Sequence, residues 1–170
     1  AIEVTNESDL RNLMMNIVKG DIRKSLASIS LALNSEDTET AHYAASVLQD
    51  ALNDFRMTVE KQKKLIEEGG ADRTAYADML LNYMNDVLKQ KVFTDMEQKS
   101  YVAKMDYVGE VMYAEAPDAM SIEQMEALIL RLLEIDNFTD CEKWCERAKE
   151  KYPNTLAAYT CRLKLYFSSG

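Results

Sequence analysis

Three cysteines and one histidine are the side chains of this chain best suited to bind a soft metal or attack an electrophile: Cys141, Cys145, Cys161 and His42. Cys141 and Cys145 are four residues apart, so a helix would set both thiols on one face. A structural zinc site needs about four such ligands, and only Cys161 and His42 remain to complete one. A Cys–His nucleophile pair would need His42 within hydrogen-bond reach of a thiol about 100 residues further along the chain. His42 sits in the first turns of an Ala-rich segment, where a structural role is the simpler assignment. Glu142, Glu146 and Glu150 recur at i, i+4 and i+8, the pattern of a solvated acidic ridge rather than of an acid/base pair tuned for proton transfer. Gly69-Gly70 lacks the strand and the lysine of a phosphate-binding loop. No catalytic, metal-binding or cofactor-binding residue is therefore assigned, and the chain is expected not to be an enzyme. The alternative kept open is a small helical enzyme or metal-binding protein using Cys141, Cys145 and His42.

Bulk properties narrow the partners. The 170 residues carry 20 Lys and Arg against 29 Asp and Glu, a net charge of −9, which disfavours a nucleic-acid partner. A hydrophobic fraction of 47% is too high for a disordered chain, and 5 Gly with 2 Pro are too few for a turn-dense all-β fold. No unbroken apolar run exceeds that of Ala127–Leu130 in length, far short of the ~20 residues that span a bilayer, so no membrane insertion is expected of this segment. An odd number of cysteines fits free thiols in a reducing compartment, so a cytoplasmic location is expected. The chain opens on Ala1, with neither an initiator Met nor a signal-peptide pattern.

The elements that must position these residues read as helices throughout. Asn6 caps a first helix carrying Leu10, Leu13, Met14 and Ile17, and Asp21 caps a second with the stripe Ile22, Leu26, Ile29 and Leu33. Asp37 or Thr38 opens a long helix that ends at Gly69-Gly70. Its stripe, Leu48, Leu52, Phe55, Val59, Gln62 and Ile66, is heptad-like with one polar position. Intramolecular packing is the first reading of this seam, and a dimerisation domain through Leu48–Ile66 is the second. Asp72 opens a helix with Tyr76, Leu80, Tyr83, Met84 and Val87 inward; Thr94 or Asp95 opens one with Tyr101, Met105, Val108 and Met112, ending before Pro117. Gly109 inside that helix predicts a close helix crossing. Ser121 caps the next helix with Gln124 in its first turn, Thr139 or Asp140 starts another bearing Cys141, Trp144, Cys145 and Ala148, and Thr155 starts the last, with Tyr159, Leu163, Tyr166 and Phe167 as its stripe. Eight helices joined by short turns imply stacked antiparallel hairpins.

The last 50 residues also show a period of about 34 residues. With Ile122 as its start, the pattern resembles the tetratricopeptide repeat (TPR). Met125, Leu128, Leu132, Phe138 and Cys145 fall where that family places large apolar residues, Cys141 and Ala148 where it places small ones, and Pro153 where it has proline. Ile129, Asp136 and Arg162 depart from the pattern, Asp136 at the turn glycine. The second unit stops after its first helix, so a fragment of a longer protein is expected. The resemblance implies a concave groove lined by Glu123, Glu126, Leu130, Leu133 and Glu134, then by Ala157, Thr160, Lys164, Phe167 and Ser168. A part-acidic, part-apolar groove suits a basic amphipathic helix or an extended peptide. The alternative is that Leu130, Leu133 and Phe167 are covered by a further repeat or another chain. Residues 21–50 look HEAT-like, and Asn6–Arg11 together with Asp37–Ala45 resemble the cytoplasmic repeat regions of PelE-like bacterial exopolysaccharide-synthesis subunits, which are tethered by membrane helices outside the repeats.

Together these readings describe an all-α, right-handed solenoid forming a single domain over 1–170. Its parts are a HEAT-like, long-helix stretch (6–70), an irregular hairpin (72–117) and a TPR-like repeat plus one further helix (121–170). The expected function is a non-catalytic protein–protein interaction scaffold, monomeric or homodimeric, within a larger bacterial protein of exopolysaccharide synthesis.

Overall fold

The structure, a computed structural model, describes Leu26, Ile29 and residues 31–168. The helix expected from Asn6, and most of the one expected from Asp21, lie outside the described residues; Leu26, Ile29 and 31–33 are helical. Among the described residues every regular element is a helix. These are α1 (Thr38–Glu68), α2 (Arg73–Leu88), α3 (Asp95–Glu115), a 3₁₀ turn (Pro117–Ala119), α4 (Ile122–Glu134), α5 (Phe138–Lys151) and α6 (Leu156–Ser168). The protein is all-α. The expectation of one domain over 1–170 meets a division into two compact units, one ending at Gln90 and the other beginning at Lys91.

In the first unit, Asp37 caps α1. Its carboxylate accepts from the Glu39 amide at 3.3 Å and from the Thr40 hydroxyl at 2.6 Å. Those bonds, the Thr40 one foremost, hold it below the usual carboxylate range. The heptad-like stripe is buried from Leu52 through Phe55, Val59, Gln62 and Ile66, while Leu48 is only half-buried. These side chains are buried within the chain. α1 packs on α2, which buries Tyr76, Leu80, Tyr83, Met84 and Val87 as expected, and also Ala77, Leu81 and Leu88. Phe55 and Tyr83 meet at 5.5 Å between ring centroids. Burial pushes the Tyr83 phenol up to about 12. Gly69 and Gly70 end α1 at φ +83° and +103°; nothing lies within 4 Å of a Cβ at either, so backbone conformation rather than space reserves them for glycine.

In the second unit, the Thr94 hydroxyl accepts from the Glu97 amide to start α3. Ala116 leaves helical geometry before Pro117. Ser121 and Gln124 form a reciprocal capping box at 3.1 and 3.0 Å to start α4. α4 ends in a Schellman motif. The Asp136 amide donates to the Leu133 carbonyl and the Asn137 amide to the Leu132 carbonyl, with Asp136 left-handed at φ +59°. The position that resembles a turn glycine therefore has a glycine's backbone. The cap of α5 is Asn137, two residues before Thr139 and three before Asp140, the expected starts. The Schellman turn delivers Asn137 at φ −87° and ψ 76°, and its side chain accepts from the Asp140 amide at 3.2 Å.

Candidate functional site

Gly109 sits at a close helix crossing in the second unit. A Cβ there would stand 2.7 Å from Leu128 Cδ1 and 3.1 Å from Trp144 Cζ2, so the predicted close crossing is between α3 and the α4–α5 pair. Trp144 is fully buried and donates its indole N–H to Asp106 at 2.6 Å. Lys143 reaches Asp106 at 3.1 Å and Glu110 at 2.8 Å, and Arg147 reaches Glu110 at 2.6 Å while stacking on Tyr113 and Trp144. Burial raises the Glu110 carboxyl, but the bonds from Arg147 and Lys143 outweigh it and hold it below its ordinary range. Desolvation lowers Lys143, and its carboxylate partners more than reverse that. Cations and anions here neutralise one another around an indole. The arrangement is a structural clasp from α3 to α5, which spacing alone did not reveal.

The thiols are used in packing. Cys141, Cys145 and Cys161 are all buried and unpaired by disulfides. Cys141 donates to the Ile129 carbonyl at 3.5 Å. Its hydrogen bond with Cys145 lowers Cys141 and raises Cys145, which burial raises further. Cys161 is pushed up to about 11, first by burial and then by Glu126. Each of the three thiols is at most 1% exposed. His42 is exposed on α1. Among the described residues no group of three or more His, Cys, Asp or Glu side chains is placed to hold a metal ion.

The expected groove residues divide. On α4, Glu123 and Glu134 are exposed, whereas Glu126, Leu130 and Leu133 are half-buried. Glu134 is engaged within the unit, by Arg131 at 2.8 Å and Lys91 at 3.9 Å. On α6, Lys164 is exposed and Phe167 is 77% exposed. α6 packs on both α4 and α5.

The expected stripe of α6 does not turn inward. Tyr159, Leu163, Tyr166 and Phe167 are exposed, together with Leu156, and the helix buries Ala158 and Cys161 instead. Small side chains let α6 approach α4 and α5 closely, and the rings are left on the opposite side. The signal was present in the sequence: α6 is apolar nearly all round, so the apolar residues could not by themselves say which side is inner. A cleft of about 280 Å³ between α5 and α6 adjoins this face, with Phe138, Glu142, Cys145, Glu146, Arg162 and Tyr166 in its walls. A second cleft, of about 400 Å³, is lined by Lys91, Phe93, Gln98, Lys99, Glu134 and Asp136. No helix of the described residues is long and apolar enough to cross a membrane. No protein-family model, no curated protein and no solved structure matches this chain.

Proposed function

We propose that this chain is a non-catalytic protein-interaction scaffold of stacked helical hairpins, a right-handed solenoid in its finer architecture. One observation carries the reading: five large apolar side chains lie exposed on α6, while the thiols and the single tryptophan are buried in packing. Chemistry-bearing groups that are buried and engaged leave surface complementarity as the means of action. The edge of α4 bearing Glu123, Glu126, Leu130 and Leu133, with Lys164 and Phe167 of α6, is the expected peptide groove. A place beside a membrane-tethered exopolysaccharide-synthesis complex is supported by the sequence resemblance of residues 6–11 and 37–45.

The test is selection of peptides from a random display library against the whole chain. Binding is then measured to the Leu130→Ala, Leu133→Ala and Glu126→Ala variants. Selected peptides that lose affinity for those variants, at unchanged helicity, support the groove. Peptides indifferent to them remove the groove assignment, and a library that yields no binder removes the scaffold reading.

A further inference from the structure

We infer that Cys141 and Cys145 form a two-thiol site for a monosubstituted trivalent arsenical, entered by the cleft between α5 and α6. The inference goes beyond the scaffold reading and does not depend on it.

Helical spacing and the cleft place the pair. Both thiols lie on the buried side of α5, one turn apart, and are hydrogen-bonded to each other. Positions i and i+4 of a helix hold their Cβ atoms about 5–6 Å apart. A disulfide needs about 3.5–4.5 Å, so this pair cannot close on itself without moving the helix backbone. One bridging atom between the sulfurs meets the helical spacing. Cys145 is also part of the wall of the cleft of about 280 Å³, together with Phe138, Leu165 and Tyr166. The cleft thus leads from the surface to one thiol of the pair. Cys141 stands one turn further along α5, with its S–H on the Ile129 carbonyl at 3.5 Å.

Ligand number selects the bridging atom. A structural zinc ion needs about four ligands. Among the described residues no group of three or more His, Cys, Asp or Glu side chains is placed to hold a metal ion, so the centre must be satisfied by two thiolates. A linear two-coordinate ion with bonds of about 2.3 Å on either side would set the sulfurs about 4.6 Å apart, wider than a hydrogen-bonded pair. Arsenic(III) with one carbon substituent takes two thiolates at a bent angle and spends its third bond on the organic group. Phe138, Leu165 and Tyr166 give that group an apolar wall. In water the ligand is the dihydroxide. Two As–O bonds break and two As–S bonds form, and each thiol proton leaves with a hydroxide as water. Arsenic stays trivalent, so the exchange needs neither oxidant nor reductant.

The probe is phenylarsine oxide, which hydrates to the phenyl dihydroxide, added to the native full chain. Trp144 is the single tryptophan and adjoins Cys145, so its emission reads loading, while intact mass reads stoichiometry. Expected is one phenylarsenic group per chain with two hydrogens lost and helicity unchanged. A small dithiol should strip it, and a monothiol at the same concentration should not. Cys141→Ser and Cys145→Ser should each weaken binding at least about a hundredfold, because the second thiol acts at a high effective concentration. Cys161→Ser should leave it unchanged. Circular dichroism accompanies each variant, and alanine replaces serine wherever the serine variant loses helicity. No loading of the native chain, loading that survives loss of either Cys141 or Cys145, loading abolished by Cys161→Ser, or loading only with loss of helicity overturns the inference. Each of these results leaves the scaffold reading standing, since library-selected peptides decide that one.

Discussion

α5 and α6 are neighbours of similar length, and both turn small residues inward: Cys141, Cys145 and Ala148 on one, Ala158 and Cys161 on the other. Their other surfaces differ. α5 also carries buried Trp144, whose indole is tied to Asp106, and its Lys143 and Arg147 reach carboxylates of α3. Lys151 adds an ion pair to Asp118 in the 3₁₀ turn. α6 presents two leucines, two tyrosines and a phenylalanine outward. A helix whose inner ring and outer charges are both engaged is finished as a structural element. A helix packed on one side and apolar on the other has one side settled by packing and the other exposed.

The contrast is sharpest in the cost of substitution. Trp144→Ala should destabilise the second unit by about 4 kcal/mol in denaturant unfolding, because it empties a full-sized indole site and takes the indole donor from Asp106, leaving it Lys143 alone. A loss under about 1 kcal/mol would mean that α5 is not clasped as described. Gly109→Val should cost about 2–3 kcal/mol, since the added atoms would meet Leu128 and Trp144 inside contact distance. Ser121→Ala removes half of the capping box and should cost about 1 kcal/mol.

The ion cluster gives a smaller, pH-dependent effect. The Glu110 carboxyl is held below its usual range, so its contribution is present above about pH 4.5 and fades as pH falls through the folded value. Lys143 is held above its usual range, so its contribution is present below about pH 10.5 and fades as pH rises through the folded value. Glu110→Gln should cost at most about 1 kcal/mol at neutral pH and should flatten the acid limb of the stability curve. An acid limb that is unchanged in the variant would place the acid sensitivity elsewhere. Smallest of all, Leu163→Ser with Phe167→Ser should change stability by no more than about 0.5 kcal/mol, as expected of exposed positions. A loss of several kcal/mol would make α6 a core element like α5 and erase the contrast.

Much of this was legible in the residues. The stripe from Leu52 to Ile66 follows from spacing because α1 has one side much more apolar than the other, and the crossing at Gly109 from a residue with no side chain; α2 buries the set its spacing named although its two sides contrast no more than those of α6. The start of α4 at Ser121 followed from a cap whose partners are three residues apart. The start of α5 was displaced, because Asn137 is set by the left-handed turn at Asp136 rather than by its own helix. The Asp106–Trp144 bond joins residues 38 positions apart and left no periodic trace.

What the sequence by itself determined, among the described residues, is the order of the helices, the caps at Asp37, Thr94 and Ser121 and the inner side wherever the amphipathic contrast is strong; these depend on contacts within a turn or two of chain. The tertiary structure alone decided which side of α6 is hidden and which acids Lys143 and Arg147 would meet. The outer rings have the larger apolar area, yet the side with the small residues is the one packed, so shape and not area set the choice. Ala158 and Cys161 fit close against α4 and α5, and the rings are left outside.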